Sequence, residues 1–406
     1  MVKVIRKTLT DINNKETNKT VGAFLMKGTG GRAFCAGGDV KSIWQELTNL
    51  VAIDKLRDLG TGKPGRLHTD FFREEYKMNH LLGNSLIPQV SIWDGIVMGG
   101  GVGISVLGEF RVASEKCMFA MPETAIGLFP DVGSSAWIPH ISINRDSIAS
   151  ALGEAVAATI HDDDGVGLLL GLTGCRLNAM DLLQTGIATH LVHSHRLPEL
   201  EDALAELDMS IEEPADSRKR IRKILNDFCY SRVGRGELYV AKADAEEGSS
   251  PRATATSFAP SMIVQRAASI SRCFGSKASS VEEVVERLEG LSKEEGSGGG
   301  GEWAKGMLVT MGKMSPTSLK ITFEQIRRGR NLPNLQSCLK MEFRMVMACM
   351  RSHDFREGIR AVLVDKDEAG PSWNPSSLKE VSSEAVEEYF APLEDHYEFR
   401  DSIELI

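Results

Sequence analysis

The most informative stretch of this chain, residues 121–133, reads MPETAIGLFPDVG. Its two carboxylates, Glu123 and Asp131, stand eight residues apart in a segment that is otherwise apolar and bent by proline and glycine. Acids in apolar surroundings are costly to ionise, so we expect raised pKa values for both carboxyl groups. Acids of this kind suit proton transfer or nucleophilic attack, and the stretch therefore predicts a catalytic site.

Two glycine-rich segments lie upstream, RAFCAGGD at residues 32–39 and MGGGVG at residues 98–103. The first follows a predicted buried strand at Val21–Met26, and the second follows another at Gln89–Trp93. Either segment alone is typical of a tight turn. As a pair after separate strands, they fit two backbone N–H donors that converge on one oxygen, the second at the start of a helix over Val102–Leu107. The carboxylates and these amides together indicate acyl chemistry.

The composition is that of a globular protein with enough apolar residues for a core. Of the 406 residues, 42% are hydrophobic and 25% are charged, which allows one large domain or two ordinary ones. The net charge of −9 argues against a general nucleic-acid surface, and no apolar run reaches the length of a membrane span. Seven scattered cysteines without a C-x-x-C pair favour reduced thiols in an intracellular compartment.

The first half of the chain predicts alternating strands and helices. An amphipathic helix is expected at the N-terminus, and further short strands are expected at Phe110–Ala113 and Met118–Ala120. Strands that alternate with helices predict an α/β layered core. The alanine-rich residues 147–160 predict an additional helix.

The second half is predicted to be mostly helical. Ser315 and Pro316 have the pattern of an N-cap followed by proline in the first helical position. A longer helix then presents one apolar face made of Leu335, Leu339, Phe343, Val346 and Met350. Residues 244–301, rich in glycine and serine, predict linker-like surface excursions. The three aspartates at 162–164 lack the ligand spacing of a calcium loop and predict a solvated turn.

Three common motif classes fail at specific positions. Residues 103–107, GISVL, have leucine where the nucleophile elbow of a serine hydrolase needs glycine. Residues 60–64, GTGKP, have proline where a P-loop needs serine or threonine after the lysine. The glycines of residues 98–103 are also in the wrong register for a dinucleotide-binding fingerprint. A serine hydrolase, an NTPase and an NAD enzyme are therefore disfavoured.

These features resemble the crotonase superfamily of acyl-CoA enzymes, and within it the branch that hydrolyses 3-hydroxyisobutyryl-CoA, an intermediate of valine breakdown. The resemblance covers about residues 1–392, and its specific stretches occur in the family's order. They are AFCAGGD (33–39), FREEY (72–76), MGGGVG (98–103), MPETAIGLFPDVG (121–133), LTG (172–174), GIATH (186–190), SPTSLK (315–320) and HDFREGIRAVLVDK (353–366). The resemblance implies a crotonase-like α/β fold, a spiral of ββα units with a helical C-terminal region covering the site.

By the same resemblance, the backbone N–H groups of Gly38 and Gly100 are expected to form the oxyanion hole for a thioester carbonyl. Glu123 and Asp131 are expected to be the catalytic acids, and Glu75 is expected to contact the substrate together with Gly100 and both acids. Three alternatives stay open at this point. Glu75 could be a solvated charge, Glu123 a structural acid bonded to backbone, and Asp131 a turn residue.

Position 103 bears on the type of reaction that the resemblance implies. Related hydratases carry a glutamate where this chain has Gly103, so its absence favours thioester hydrolysis over hydration. Glu123 would attack the thioester directly or activate water, and Asp131 would hold the substrate's hydroxyl group or assist proton transfer. No metal or redox cofactor is implied by the resemblance. CoA counts as part of the substrate rather than as a cofactor.

The resemblance also implies an organisation and a setting for the chain. An acyl-CoA-binding core is expected at residues 1–240, a linker-rich excursion at 241–301 and a helical region at 302–406, and the strand hairpin that usually begins the family is expected to be missing. Mitochondrial location follows from the family, without a visible transit peptide. A homo-oligomer is possible, and neither nucleic acid nor a membrane is an expected partner. The alternatives are a structural subunit of mitochondrial ribosomes and a hydratase or isomerase of the same superfamily.

Overall fold

A computed structural model describes residues 1–14, 21–52, 59–160, 164–207, 214–233, 238–240, 259–275, 277–294, 299–394 and 397–399. The strands are β1 (Phe24–Lys27), β2 (Ala33–Cys35), β3 (Gln89–Trp93), β4 (Ile96–Met98), β5 (Phe110–Ala113), β6 (Met118–Ala120), β7 (Leu177–Asn178), β8 (His190–Leu191), β9 (Ser231–Val233) and β10 (Leu238–Val240). The helices are α1 (Val2–Asn13), α2 (Val40–Ala52), α3 (Leu67–Gly83), α4 (Gly100–Gly103), α5 (Arg145–Leu152), α6 (Glu154–Ala157), α7 (Val166–Thr173), α8 (Ala179–Gln184), α9 (Leu197–Ala205), α10 (Pro214–Phe228), α11 (Met262–Gln265), α12 (Ala267–Phe274), α13 (Val281–Ser292), α14 (Gly300–Met311), α15 (Pro316–Gly329), α16 (Leu335–Arg351), α17 (His353–Ile359) and α18 (Ser383–Glu388).

From β1 to β6 the strands alternate between two sheets as the chain advances, and β7 to β10 then extend the two sheets without this regular alternation. One sheet has the order β1-β3-β5-β8-β9-β10, and the other has the order β2-β4-β6-β7. The pairs β1/β3, β3/β5 and β5/β8 are parallel in the first sheet, and β2/β4 and β4/β6 are parallel in the second. Each turn of the chain thus adds one strand to each sheet before a helix or loop returns it. This arrangement confirms the predicted α/β spiral of ββα units.

Two apolar cores hold the sheets in place. The larger core includes Trp93 of β3 and Phe119 of β6 and continues into the C-terminal helices through Phe343 of α16. The smaller core lies on the other face of the six-stranded sheet, where Val90 and Ile92 pack beneath side chains of α9 and α10. Alternate residues of β3 therefore serve different cores, as expected for a strand buried on both faces.

The C-terminal helices pack directly on the segment that carries the two acids of residues 121–133. Helix α17 contacts the 3-10 turn Glu123–Ile126, and α16 contacts both α3 and the turn Ser134–Ala136. The close fit depends on two glycines, because a Cβ atom on Gly127 would lie 2.2 Å from the Asp354 carbonyl oxygen and one on Gly358 would lie 2.5 Å from the Ile126 carbonyl carbon. The predicted cap of α15 is confirmed, since the Ser315 side chain accepts the Ser318 N–H.

Several local predictions are confirmed with changed boundaries. Strands β3, β5 and β6 have the predicted bounds, whereas β1 begins at Phe24 rather than at Val21. The helix after the second glycine run begins at Gly100 rather than Val102 and lasts a single turn, so it supplies little of the expected helix dipole. The alanine-rich segment forms two short helices, α5 and α6, because Gly153 interrupts it with a φ of +92°.

Two predictions of surface structure are wrong within the described residues. Residues 262–292 are not linker: α11, α12 and α13 bury side chains such as Val284 and Leu288 in the larger core. Asp164 is 1% exposed, and its carboxylate accepts the backbone N–H groups of Ile143 and Val166. It therefore fixes a buried junction rather than a solvated turn. Residues 161–163 and 241–258 lie outside the described part of the chain, and the domain boundaries at 240 and 301 stay predictions.

The seven cysteines are all free thiols, in agreement with the prediction from their spacing. Among the helices in the described ranges, none is both long and apolar enough to cross a membrane.

Candidate active site

Three neighbouring strands of the four-stranded sheet bring the predicted site residues together. The strands β2, β4 and β6 are parallel, so their carboxyl ends, at Cys35, Met98 and Ala120, meet at one edge. Gly38, Gly100 and Glu123 each follow one of these ends. Residues that are far apart in sequence therefore converge because of the parallel register alone.

The two predicted N–H donors are direct neighbours in space. A Cβ atom on Gly100 would lie 3.3 Å from the Gly38 nitrogen. Gly37 and Gly99, the residues that precede the donors, have φ values of +118° and +51°, which side chains disfavour. The glycines therefore permit a backbone geometry in which the peptide groups of Gly38 and Gly100 lie next to each other. An oxyanion hole requires two N–H donors in such proximity.

Two of the carboxylates border this pair of glycines. The Gly100 Cβ position is 3.0 Å from Oε1 of Glu75, and a Cβ atom on Gly99 would lie 3.5 Å from Oε1 of Glu123. Glu75 is supplied by α3 and is only 5% exposed. The alternative of Glu75 as a solvated charge is therefore wrong. Glu123 is 4% exposed, and its Oε2 atom has no hydrogen-bond partner, so the carboxylate retains an unused acceptor at the site.

Asp131 reaches the same place from a strained turn. The Ser134 N–H donates to the Asp131 carbonyl oxygen at 3.0 Å, and Val132 and Gly133 between them have φ values of +55° and +87°. Positive φ at both central positions defines a type I′ turn, in which a β-branched residue costs about 1–3 kcal/mol. The side chain of Asp131 leaves this turn and accepts the Tyr76 hydroxyl at 3.0 Å. Asp131 is thus a turn residue and a member of the acid cluster at once.

Burial raises the pKa values of all three acids. Burial and then the charge of Asp131 raise the pKa of Glu75 and of Glu123 well above the ordinary range of a glutamate. Burial raises the pKa of Asp131 to about 7, against the opposing effect of the hydrogen bond from Tyr76. The negative charge of Asp131 opposes ionisation of both glutamates, so the three acids do not all ionise readily together. It can therefore supply both a carboxylate and an acid.

Gly103 lies next to the site, but a side chain there has no room. A Cβ atom on Gly103 would lie 2.5 Å from Cβ of Val132 and 3.0 Å from Nδ2 of Asn79. Asn79 also donates to the Gly103 carbonyl oxygen at 2.9 Å, which fixes the peptide in place. The space that a second glutamate would need is filled by Val132.

Within the described residues, no group of three or more histidine, cysteine or acidic side chains is arranged to hold a metal ion.

Residues 1–390 match the enoyl-CoA hydratase/isomerase family. The chain belongs to this family. It is similar to the Gallus gallus protein named 3-hydroxyisobutyryl-CoA hydrolase, mitochondrial, with 40% identity over 392 residues, covering 96% of this chain and 82% of the relative. Proteins with the same name from Homo sapiens (36% identity, 96% of this chain, 82% of the relative) and Dictyostelium discoideum (35% identity, 98% and 87%) are also similar.

Two solved structures share the fold of this enoyl-CoA hydratase/isomerase family member over nearly the whole chain. A carnitinyl-CoA dehydratase from Mycobacterium thermoresistibile gives a TM-score of 0.70 at 27% identity, covering 98% of this chain and 91% of the other. An enoyl-CoA hydratase from Rhodobacter sphaeroides 2.4.1 gives a TM-score of 0.67 at 25% identity, with 97% and 90% covered. The crotonase-like fold predicted from the sequence motifs is therefore confirmed.

Three residues that contact the acid cluster or its turn were missed by the sequence motifs. Tyr76 stands in a quoted motif but was assigned no role, although its hydroxyl binds Asp131. Gln325 of α15 donates to the Pro130 carbonyl oxygen at 2.6 Å. Glu342 of α16 accepts the N–H groups of Gly133 and Ser135. For Glu342 a signal existed, because it lies three residues after Leu339 and so falls on the predicted apolar face of its helix.

The Tyr76 hydroxyl is expected to tune Asp131 in this family member. In a Tyr76→Phe variant the ring still packs against Phe343 and Phe399, but Asp131 loses the hydrogen bond that stabilises its ionised form. We expect the pKa of Asp131 to rise above its value of about 7. Carbon-13 NMR titration of aspartate-labelled protein measures this shift, with Asp131→Asn to assign the resonance. An unchanged or lower pKa in Tyr76→Phe would contradict the role of the hydroxyl.

Proposed function

We propose that this protein hydrolyses 3-hydroxyisobutyryl-CoA to 3-hydroxyisobutyrate and CoA. The observation that carries the proposal is the placement of Glu75 and Glu123 beside the glycine run that includes Gly99 and Gly100, with Gly38 next to Gly100. The charge of Asp131 helps to raise the pKa of both glutamates. The identity of 35–40% to proteins named as this hydrolase, over most of both chains, supports the choice of substrate.

In the proposed reaction the thioester carbonyl oxygen accepts the N–H groups of Gly38 and Gly100. Negative charge that develops on this oxygen is better stabilised than the ground-state carbonyl, which lowers the barrier rather than only improving binding. Ionised Glu123 either attacks the carbonyl carbon or removes a proton from an attacking water molecule. The carbon–sulfur bond then breaks, and the CoA thiolate takes up a proton. A mixed anhydride formed by direct attack is hydrolysed by water, so both routes consume one water molecule.

Asp131 and Glu75 complete the proposed site. The raised pKa values of both acids favour their protonated forms, and such a proton is available to the leaving thiolate or to a hydrogen bond with the substrate's hydroxyl group. The 3.0 Å separation between the Gly100 Cβ position and Oε1 of Glu75 supports a contact between Glu75 and the bound acyl group. The proposal requires no metal and no redox cofactor, since water and carboxylates supply each step.

Hydration of an enoyl-CoA is the main competing reaction within the family, and the site opposes it. Addition of water across a double bond relies on the glutamate that related hydratases have at position 103, and Val132 fills that space here. A purely structural role, as in a ribosomal subunit, does not account for a cluster of buried acids in which Oε2 of Glu123 has no hydrogen-bond partner. The relatives' names support a mitochondrial location, which we propose for this chain as well.

The proposal is tested by following thiol release from 3-hydroxyisobutyryl-CoA with a thiol-reactive dye. Rapid, enzyme-dependent release is expected. In parallel, the loss of the conjugated thioester absorbance of an unsaturated acyl-CoA measures hydration, which should be much slower. Faster hydration than hydrolysis would assign the protein to the hydratases. Absence of both activities, together with co-sedimentation with ribosomal subunits, would support the structural role.

A further inference from the structure

Glu342 is a buried acid that the proposed reaction does not use directly. It is 0% exposed on α16, and its two oxygens accept separate backbone N–H groups. Gly133 donates to Oε2 at 2.7 Å, and Ser135 donates to Oε1 at 2.8 Å. Gly133 is a central residue of the turn that begins with Asp131, and Ser135 directly follows that turn. The carboxylate thus binds backbone N–H groups of the catalytic turn and of the residue after it, and it is shielded from solvent.

The turn that Glu342 binds is one that the local sequence does not favour. Val132 has a left-handed φ of +55° although it is β-branched, and its side chain is 1% exposed. Left alone, such a residue would relax towards negative φ and would rotate the neighbouring Asp131 away from its partners. Tertiary contacts must therefore hold the turn in shape.

The neighbouring helix α15 holds only the flanks of this turn. Gln325 donates to the Pro130 carbonyl oxygen, which precedes Asp131, and to the Ser134 and Ser135 hydroxyl groups. The Ser134 hydroxyl in turn donates to the Pro130 carbonyl oxygen. Glu342, in contrast, accepts the N–H of Gly133, a central residue of the turn. It is thus the contact placed to oppose relaxation of Val132 itself.

We infer that Glu342 is a positioning residue for hydrolysis: its carboxylate holds the strained turn 131–134 so that Asp131 points into the acid cluster. The inference rests on the proposed function. It assigns to the C-terminal helical region an indirect part in the chemistry, because the position of the catalytic acid is set from α16. Glu342 itself does not touch the reacting atoms.

The first test is the isosteric substitution Glu342→Gln, assayed at about pH 8.5, above the pKa of about 8 to which burial raises Glu342. The amide can accept only one of the two N–H groups and turns its own NH₂ towards the other. We expect kcat to fall about 10- to 100-fold with KM within about twofold, because a small displacement of a catalytic group is costly. An unchanged kcat would overturn the inference.

A double-mutant cycle separates positioning from general damage. If Glu342 acts through Asp131, Glu342→Gln should add little further loss in an Asp131→Asn background. An equal loss in both backgrounds would overturn the inference. Val346→Ala is the matched control, since Val346 is buried on the same helix one turn further on. It should lower the unfolding temperature while kcat stays within about twofold.

A third measurement requires neither a variant nor activity. Hydrogen exchange of the Gly133 and Ser135 amides in the unaltered protein should be slowed to the rate of the α16 backbone. Exchange as fast as in an exposed loop would overturn the inference even if Glu342→Gln failed to fold. A wild-type protein with slow exchange at these amides but no thiol release would instead contradict the proposed function.

Discussion

Glu123→Gln is expected to reduce thiol release from 3-hydroxyisobutyryl-CoA by about 10³-fold or more, whichever route the hydrolysis takes. The amide has the shape of the glutamate but can neither attack the thioester as a carboxylate nor accept a proton from water. Steady-state thiol release measures the effect, with Glu302→Gln as a control because Glu302 is exposed on α14. Activity within about tenfold of the wild type would show that another residue is the base or nucleophile.

The same substitution is expected to stabilise the fold at alkaline pH. The pKa of Glu123 is raised in the folded protein, so its contribution to stability is largest below the unfolded pKa and is lost as pH rises through the folded value. Above that value the wild type carries the penalty of a buried carboxylate, and Glu123→Gln does not. Thermal unfolding should show the variant's advantage near pH 8, and this advantage should shrink towards pH 4.5. An equal difference at both pH values would contradict the burial argument.

Gly100→Ala is expected to reduce kcat/KM by about 10²-fold. The backbone at this position is compatible with alanine, since Gly100 does not have a positive φ. The loss would come from the new methyl group, which would lie 3.0 Å from Oε1 of Glu75 and 3.3 Å from the Gly38 nitrogen. It would therefore occupy the point at which the thioester oxygen has to meet the two N–H donors.

The control for this prediction is Gly306→Ala on α14. A Cβ atom there has no neighbour within 4 Å, so the methyl group enters open space on a helix. We expect unchanged kinetics. The free energy of unfolding should rise by up to about 1 kcal/mol, because alanine has the higher helix propensity, and the unfolding temperature should rise with it. Gly100→Ala with wild-type kinetics would contradict the oxyanion hole, whereas a comparable loss in both variants would indicate an effect common to any added methyl group.

Local sequence was sufficient for the elements that face the site. The bounds of β3, β5 and β6 follow from short, mostly apolar runs, and the glycine runs predict sharp turns. The convergence of Gly38, Gly100 and Glu123 was predicted through family resemblance, and the parallel register of three strands explains it. For these residues, position in the chain and position in space are linked by regular structure.

Long-range contacts were beyond the reach of the same reasoning. The glycine-rich ends of residues 244–301 hid the apolar spacing of Val281, Val284, Leu288 and Leu291, which a linker would not have. Asp164 looked solvated because Ile143, one of its two backbone donors, becomes its neighbour only through the folding of the chain. Glu342 lies more than 200 residues from the turn that it binds. No sequence window that contains the turn also contains its support.

The contact between Gly103 and Val132 has a consequence for how reactions could be exchanged within this family. A glutamate introduced at position 103 alone would meet Val132 at 2.5 Å, so the single change should damage the fold before it could add an activity. Replacing Val132 by glycine first would remove the shortest contact, leaving Asn79 Nδ2 at 3.0 Å, and would relieve the left-handed backbone. The two substitutions are therefore epistatic, and an evolutionary path from hydrolase to hydratase is open in one order and closed in the other.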